Sequence, residues 1–125
     1  MIHGIGTDII EIERITGSIE RHGSHFLDRL FTTEEQEYAL RFQESARTFA
    51  GRFAGKEAVA KALGTGIGEE VSWKDIKILN DTRGKPIVIL AAHLMERFGH
   101  PEILLSISHC KQYATAFCVI WKIRQ

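Results

Sequence analysis

Apolar positions change rhythm several times along this chain, and each change predicts an element. Ile12, Ile15 and Ile19 recur at helical spacing, so residues 11–20 read as a helix with an isoleucine face. Residues 2–8 before it read as a short strand, with Gly4 and Gly6 leaving one face bare. Residues 25–31 suit a second short helix. Thr33-Glu34-Glu35-Gln36 matches a capping box, which predicts a third helix that fades before Ser45. Residues 47–63 are rich in helix formers and predict one long helix, with Gly64 well placed to stop it. Ser72-Trp73-Lys74-Asp75 looks like one capped turn. Alternation over residues 76–80 and 86–90 predicts two strands around the turn chemistry of Asp81-Thr82-Arg83-Gly84. Residues 91–98 suit a helix stopped by Gly99 and Pro101, and residues 103–109 with 113–123 suit a closing hairpin. Helices and antiparallel strands mix without a βαβ rhythm or an internal repeat. The expected fold is α+β, with residues 1–125 forming one domain of antiparallel strands around a long central helix.

That central helix carries an unusual stripe. Ala50, Phe53, Ala54, Glu57 and Lys61 follow three- and four-residue spacing, so an apolar start gives way to a carboxylate and an amine. Charge on a packed face is costly unless a partner compensates it. Arg52 and Lys56 lie on the neighbouring edge, four apart and like-charged. One buried acid amid several bases is what a metal ion with a bound phosphate requires. The plain alternative is an exposed Glu57–Lys61 ion pair contributing a few tenths of a kcal/mol.

Asp8 closes the first strand after Gly4-Ile5-Gly6-Thr7. It is either a cap ahead of the first helix or a carboxylate that small neighbours leave open to a bulky ligand. Two hard carboxylates from different elements, Asp8 and Glu57, match magnesium better than zinc, and magnesium seldom needs a full protein cage. Gly64-Thr65-Gly66-Ile67-Gly68 follows a helix and lacks a GK[ST] ending, so it is no Walker loop; it is either a helix stop or a flexible loop beside a ligand. In Ser106-Ile107-Ser108-His109, Leu105 and Ile107 are expected to face the core and the serines the opposite side. Arg14 and Arg21, seven apart, share one face of the first helix, either as a solvated basic strip or as a dock for an acidic partner.

Charge narrows the function classes. Lys plus Arg and Asp plus Glu are 16 each, so bulk electrostatic capture of nucleic acid or a membrane surface is not expected, and self-association is favoured. No apolar run approaches the roughly 20 residues a membrane span needs, and the first residues do not read as a secretion signal. Cys110 and Cys118 stand too far apart on an extended hairpin to bond. A reduced, cytoplasmic setting is expected.

Gly6-Thr7-Asp8-Ile9 with Arg14, Arg52-Phe53-Ala54-Gly55-Lys56-Glu57-Ala58 through Lys61-Ala62, Gly64-Thr65-Gly66-Ile67-Gly68, Gly84-Lys85-Pro86 and Ser106-Ile107-Ser108-His109 occur in that order. Together they resemble bacterial holo-[acyl-carrier-protein] synthase, the short single-domain type of 4'-phosphopantetheinyl transferase, over essentially the whole chain. The resemblance implies that coenzyme A donates its phosphopantetheine arm to a serine of acyl carrier protein, releasing adenosine 3',5'-bisphosphate. It assigns magnesium to Asp8 and Glu57 and the pyrophosphate to Lys61, so these three carry the catalysis. The expected acceptor of the serine proton, on the chemistry of phosphoryl transfer, is Glu57 or a magnesium-bound water. It places Arg52 and His109 near the 3'-phosphate, Gly84, Lys85 and Pro86 beside the adenine, and Arg14 and Arg21 against acidic residues of the carrier. It further implies a homotrimer whose sites are shared between neighbouring subunits. Gly55 stands where the family usually has alanine. A coenzyme A or nucleotide-binding oligomer without catalysis is the alternative the same bases allow.

Overall fold

A computed structural model of the chain describes residues 1–122. Its order is β1 (Ile2–Glu11), α1 (Ile12–His22), α2 (Ser24–Leu30), α3 (Thr33–Ala39), α4 (Ser45–Leu63), a single 3₁₀ turn (Trp73–Asp75), β2 (Ile76–Asn80), β3 (Pro86–Leu90), α5 (Ala92–Arg97), β4 (Glu102–His109) and β5 (Tyr113–Trp121). This is the expected α+β arrangement. Ile123, placed in the last strand by the sequence reading, lies outside the described residues.

Two antiparallel sheets flank α4. The larger runs β1-β5-β4 and the smaller is the β2-β3 ribbon. β1 continues past Asp8 because its ladder with β5 does: Ile9 pairs with Thr115, Ile10 with Ala114 and Glu11 with Tyr113. Helix α3 begins at Thr33 as expected, but its cap stands one residue before the expected capping box. Thr32 is the cap, accepting from the Glu35 amide at 3.2 Å, while Glu35 Oε1 accepts from the Thr32 amide at 2.8 Å.

α4 is buried nearly all round, from Phe49 to Ala62. Its alanines and glycines exist for close approach. A Cβ on Gly4 would meet Ala62 O at 2.0 Å, and one on Gly6 would meet Ala58 O at 2.0 Å. The bare face of β1 is therefore filled by the backbone of α4, and it is not the ligand approach the strand's small residues suggested. Gly55 has a similar use, since a Cβ there would come within 2.7 Å of Ile78 Cδ1. Gly64 ends α4 at φ +88°, a left-handed conformation natural to glycine, so the glycine loop begins as a helix stop.

Among the described residues, nothing covers the other face of the larger sheet. Leu105 and Ile107 turn toward α4 as expected, and alternation leaves Ile5, Ile9, Leu104, Phe117 and Trp121 exposed on the far side; Ile5 and Ile9 are 61% and 62% exposed. The ladder places Val119 between Ile5 and Leu104, so the apolar residues form one continuous patch.

Candidate functional site

An α-helix turns about 100° per residue, so α4 presents its charges on two different sides. Arg52 and Lys56, four residues apart, share one side. Glu57 and Lys61 share another, and Lys61 lies nine residues beyond Arg52, about 180° round the axis and ~13 Å along it. The stripe expected from spacing therefore does not hold one buried acid among bases. Glu57 is only half-buried, and the Lys61 side chain is 49% exposed. The fully buried charge is Lys56, paired with Glu35 at 2.8 Å. Burial pulls the Lys56 ammonium below its usual range, and the Glu35 carboxylate pushes back. Lys56 thus supplies no base to the Glu57 side.

On the Glu57 side, β1 brings Asp8 against α4. Lys61 Nζ donates to Asp8 Oδ1 at 3.1 Å and to Thr7 O at 3.0 Å, so Lys61 is partnered across elements and not by Glu57 four residues before it. The Glu57 carboxyl is pushed above its ordinary range, first by loss of water, then by repulsion from Asp8, with Lys61 partly offsetting both. Two carboxylates crowded in this way, from a strand and a helix, form a hard oxygen donor set suited to a divalent cation such as magnesium, which takes its remaining ligands from water and phosphate. Among the described residues no group of three or more His, Cys, Asp or Glu converges, which argues against a zinc-type cage.

On the opposite side, Arg52 faces a cavity of about 590 Å³ whose lining includes Tyr38, Arg47, Asn80, Gly84, Pro86 and His109. Arg52 is 4% exposed, hydrogen-bonds Asn80 Oδ1 through Nη2 and lies 4.9 Å from the centre of the Tyr38 ring. Its Nε has no partner, an orphaned buried donor in the cavity wall. Desolvation draws the guanidinium below its ordinary range, with Tyr38 and then Glu35 opposing. Asn80 also donates to Gly84 O at 2.7 Å, tying the β2-β3 turn to Arg52. Gly84 and Pro86 line the cavity, while the Lys85 side chain between them is exposed. His109, at the end of β4, shares the parity of Leu105 and Ile107 and so reaches the same wall.

Arg14 and Arg21 border a third place, a groove between α1 and Phe26 and Phe53. Arg21 folds back over α1, with Nη1 3.0 Å from where a Gly17 Cβ would stand. The structure thus brings the candidates together in three groups: Asp8 with Glu57 and Lys61, Arg52 with Gly84, Pro86 and His109, and Arg14 with Arg21. Sequence reasoning missed Tyr38, Arg47, Asn80 and Glu35. Asn80, at a strand end before turn residues, carried the one usable signal.

A profile described as the 4'-phosphopantetheinyl transferase superfamily matches residues 4–121. The holo-[acyl-carrier-protein] synthase of Protochlamydia amoebophila is 55% identical over 119 residues, covering 95% of this chain and 98% of its own. That of Chlamydia pneumoniae is also 55% identical over 119 residues, covering 95% and 96%. Among solved structures, a holo-(acyl-carrier-protein) synthase from Bacillus anthracis in complex with CoA (3',5'-ADP) superposes with a TM-score of 0.82 at 43% identity, covering 96% of each chain. The Neisseria meningitidis holo-[acyl-carrier-protein] synthase superposes at 0.89 with 38% identity, covering 98% of this chain and 100% of that one.

Proposed function

The chain belongs to the 4'-phosphopantetheinyl transferase superfamily as a holo-[acyl-carrier-protein] synthase type of enzyme, and from that premise we propose that it moves the phosphopantetheine arm of coenzyme A to a serine of an acyl carrier protein with the help of magnesium. The observation that carries this reading is the meeting of Asp8, Glu57 and Lys61: two carboxylates with an amine 3.1 Å from one of them. Asp8 and Glu57 would hold the metal. When bound, that ion neutralises charge on the phosphoryl oxygens and can contribute several kcal/mol to the transition state. Lys61, held in place by Asp8 and the Thr7 carbonyl, directs its ammonium at the pyrophosphate being broken.

Arg52 and His109 serve the 3'-phosphate, and Gly84, Lys85 and Pro86 border the adenine. The Arg52 guanidinium, a nearly buried cation among the residues that line the cavity, supports this because it favours an anion there. CoA is present in the Bacillus anthracis structure and in a Helicobacter pylori relative of 36% identity. One donor molecule must touch both Arg52 and Lys61, yet these point to opposite sides of α4. We assign the two halves to neighbouring subunits of a homotrimer, assembled through the exposed apolar face of the β1-β5-β4 sheet. Arg14 and Arg21 then meet acidic residues of the carrier.

Mass spectrometry of purified apo-carrier incubated with coenzyme A tests the reaction. The carrier should gain one phosphopantetheine mass with magnesium present and none with a chelator. An unchanged carrier alongside intact coenzyme A binding would reduce the protein to a nucleotide-binding oligomer.

A further inference from the structure

The geometry points to Glu35 and Lys56 as positioning residues that set the shape of the nucleotide cavity, an inference that rests on the functional reading above. Lys56 sits one turn after Arg52 on the same side of α4. All three of its ammonium protons are used inside the protein: Nζ donates to Leu30 O at 2.8 Å, Glu35 Oε1 at 2.8 Å and Trp73 O at 3.0 Å. Both Glu35 oxygens are used as well, Oε1 also accepting from the Thr32 amide and Oε2 from the Ile78 amide, each at 2.8 Å. Neither side chain has any exposure, so neither can touch a ligand.

Five directional bonds thus join α4 to the end of α2, the cap of α3, the 3₁₀ turn and the outer edge of β2. The bond to Ile78 has the functional consequence. Two residues further along β2 stands Asn80, which accepts from Arg52 and donates to Gly84 O. The register of β2 against α4 therefore decides where Asn80, the Gly84 turn and Arg52 meet. A buried ion pair contributes little net stability over an apolar pair of similar size, whereas its hydrogen bonds specify one placement of the groups it joins. Here the specified placement is that of the β2-β3 ribbon over the Arg52 side of α4.

Glu35→Asp tests this, because it keeps the charge but shortens the reach by one methylene. The probe is adenosine 3',5'-bisphosphate, with binding followed by calorimetry on the full-length protein. Glu35→Asp should weaken it about tenfold, and the coenzyme A KM should rise by a similar factor while kcat and the carrier KM change less than about twofold. Asn80→Ala should also weaken binding, and the double variant should be no worse than the weaker single, since both act through one placement. A Glu35→Asp protein with parental affinity, or losses that simply multiply in the double variant, would overturn the proposal. Glu35→Met/Lys56→Met provides a second probe with no lone charge left buried: folded protein that binds like the parent overturns it, and folded protein that binds weakly supports it. A wild-type chain that binds no nucleotide sinks the functional reading and this one together. A wild-type chain that binds while the variants bind equally well sinks only this one.

Discussion

Glu57 is the residue on which the proposed chemistry turns. It is half-buried, has lost part of its water and faces Asp8, so its carboxyl titrates above the ordinary 4.5. For an acid shifted upward, ionisation costs the folded state stability. That cost is present in full above the raised range, shrinks as pH falls through it, and is gone below 4.5, where folded and unfolded forms are both protonated. A divalent cation relieves the repulsion only while the carboxylates are ionised. Magnesium should therefore raise Tm at neutral pH, and the gain should shrink as the solution is acidified through that range. A Tm indifferent to magnesium at neutral pH would contradict the metal assignment. Glu57→Gln should leave circular dichroism unchanged, abolish the magnesium shift and lower transfer at least about a thousandfold. Retained turnover in that variant would remove Glu57 from the reaction.

Among the elements, the contact of β1 with α4 decides whether the carboxylates converge at all. Gly4 and Gly6 let strand and helix backbones touch, and the same contact lays Asp8 beside Lys61. Gly6→Ala would drive a methyl group into the Ala58 carbonyl, costing about 3 kcal/mol and roughly 10 °C in Tm. Because it moves the helix off the strand, it should also weaken the magnesium response, whereas Gly68→Ala, with open space around its Cβ position, should do neither. Thermal melts with and without magnesium decide between these outcomes.

Much of this level was legible beforehand. β2 and β3 were bounded correctly because alternation and a turn of Asp81 to Gly84 leave few other readings. The glycine stop of α4 is equally plain, whereas its start lies at Ser45, two residues before the expected 47. Periodicity did not show which side of α4 met which neighbour, so Lys56 and Glu57 were read as parts of one charged cluster although they are about 100° apart. Glu35 escaped because its partner lies 21 residues away, and nothing local to either residue announces the pair. Thr32 and Thr33 both have a capping partner three residues on, and only the folded cap separates them. The site residues are legible through family resemblance more than through spacing. Nine residues of helix already separate Arg52 and Lys61 by about half a turn, but spacing does not tell which neighbour each side of α4 meets.

Seen as a whole, the molecule has two proposed half-sites on opposite sides of α4 and, among the described residues, one uncovered apolar sheet face. The proposed self-association through that face would account for both features. Phe117, 48% exposed in the middle strand of the sheet, is the natural place to break it. Phe117→Glu should cut the particle mass in light scattering to about a third without unfolding the chain, and transfer should vanish with assembly. Undiminished transfer by a monodisperse monomer would refute a shared site.

Subunit mixing is the most direct measurement of the central claim. Arg52→Ala and Glu57→Gln each disable one side of α4, and each alone should be inactive. Mixed as equal unfolded chains and refolded together, they should recover about a quarter of the parental transfer rate, since one interface in four joins an intact half from each kind of subunit. A mixture no more active than the two variants apart would mean that each chain carries its own complete site, and the arrangement argued from the two sides of α4 would be wrong.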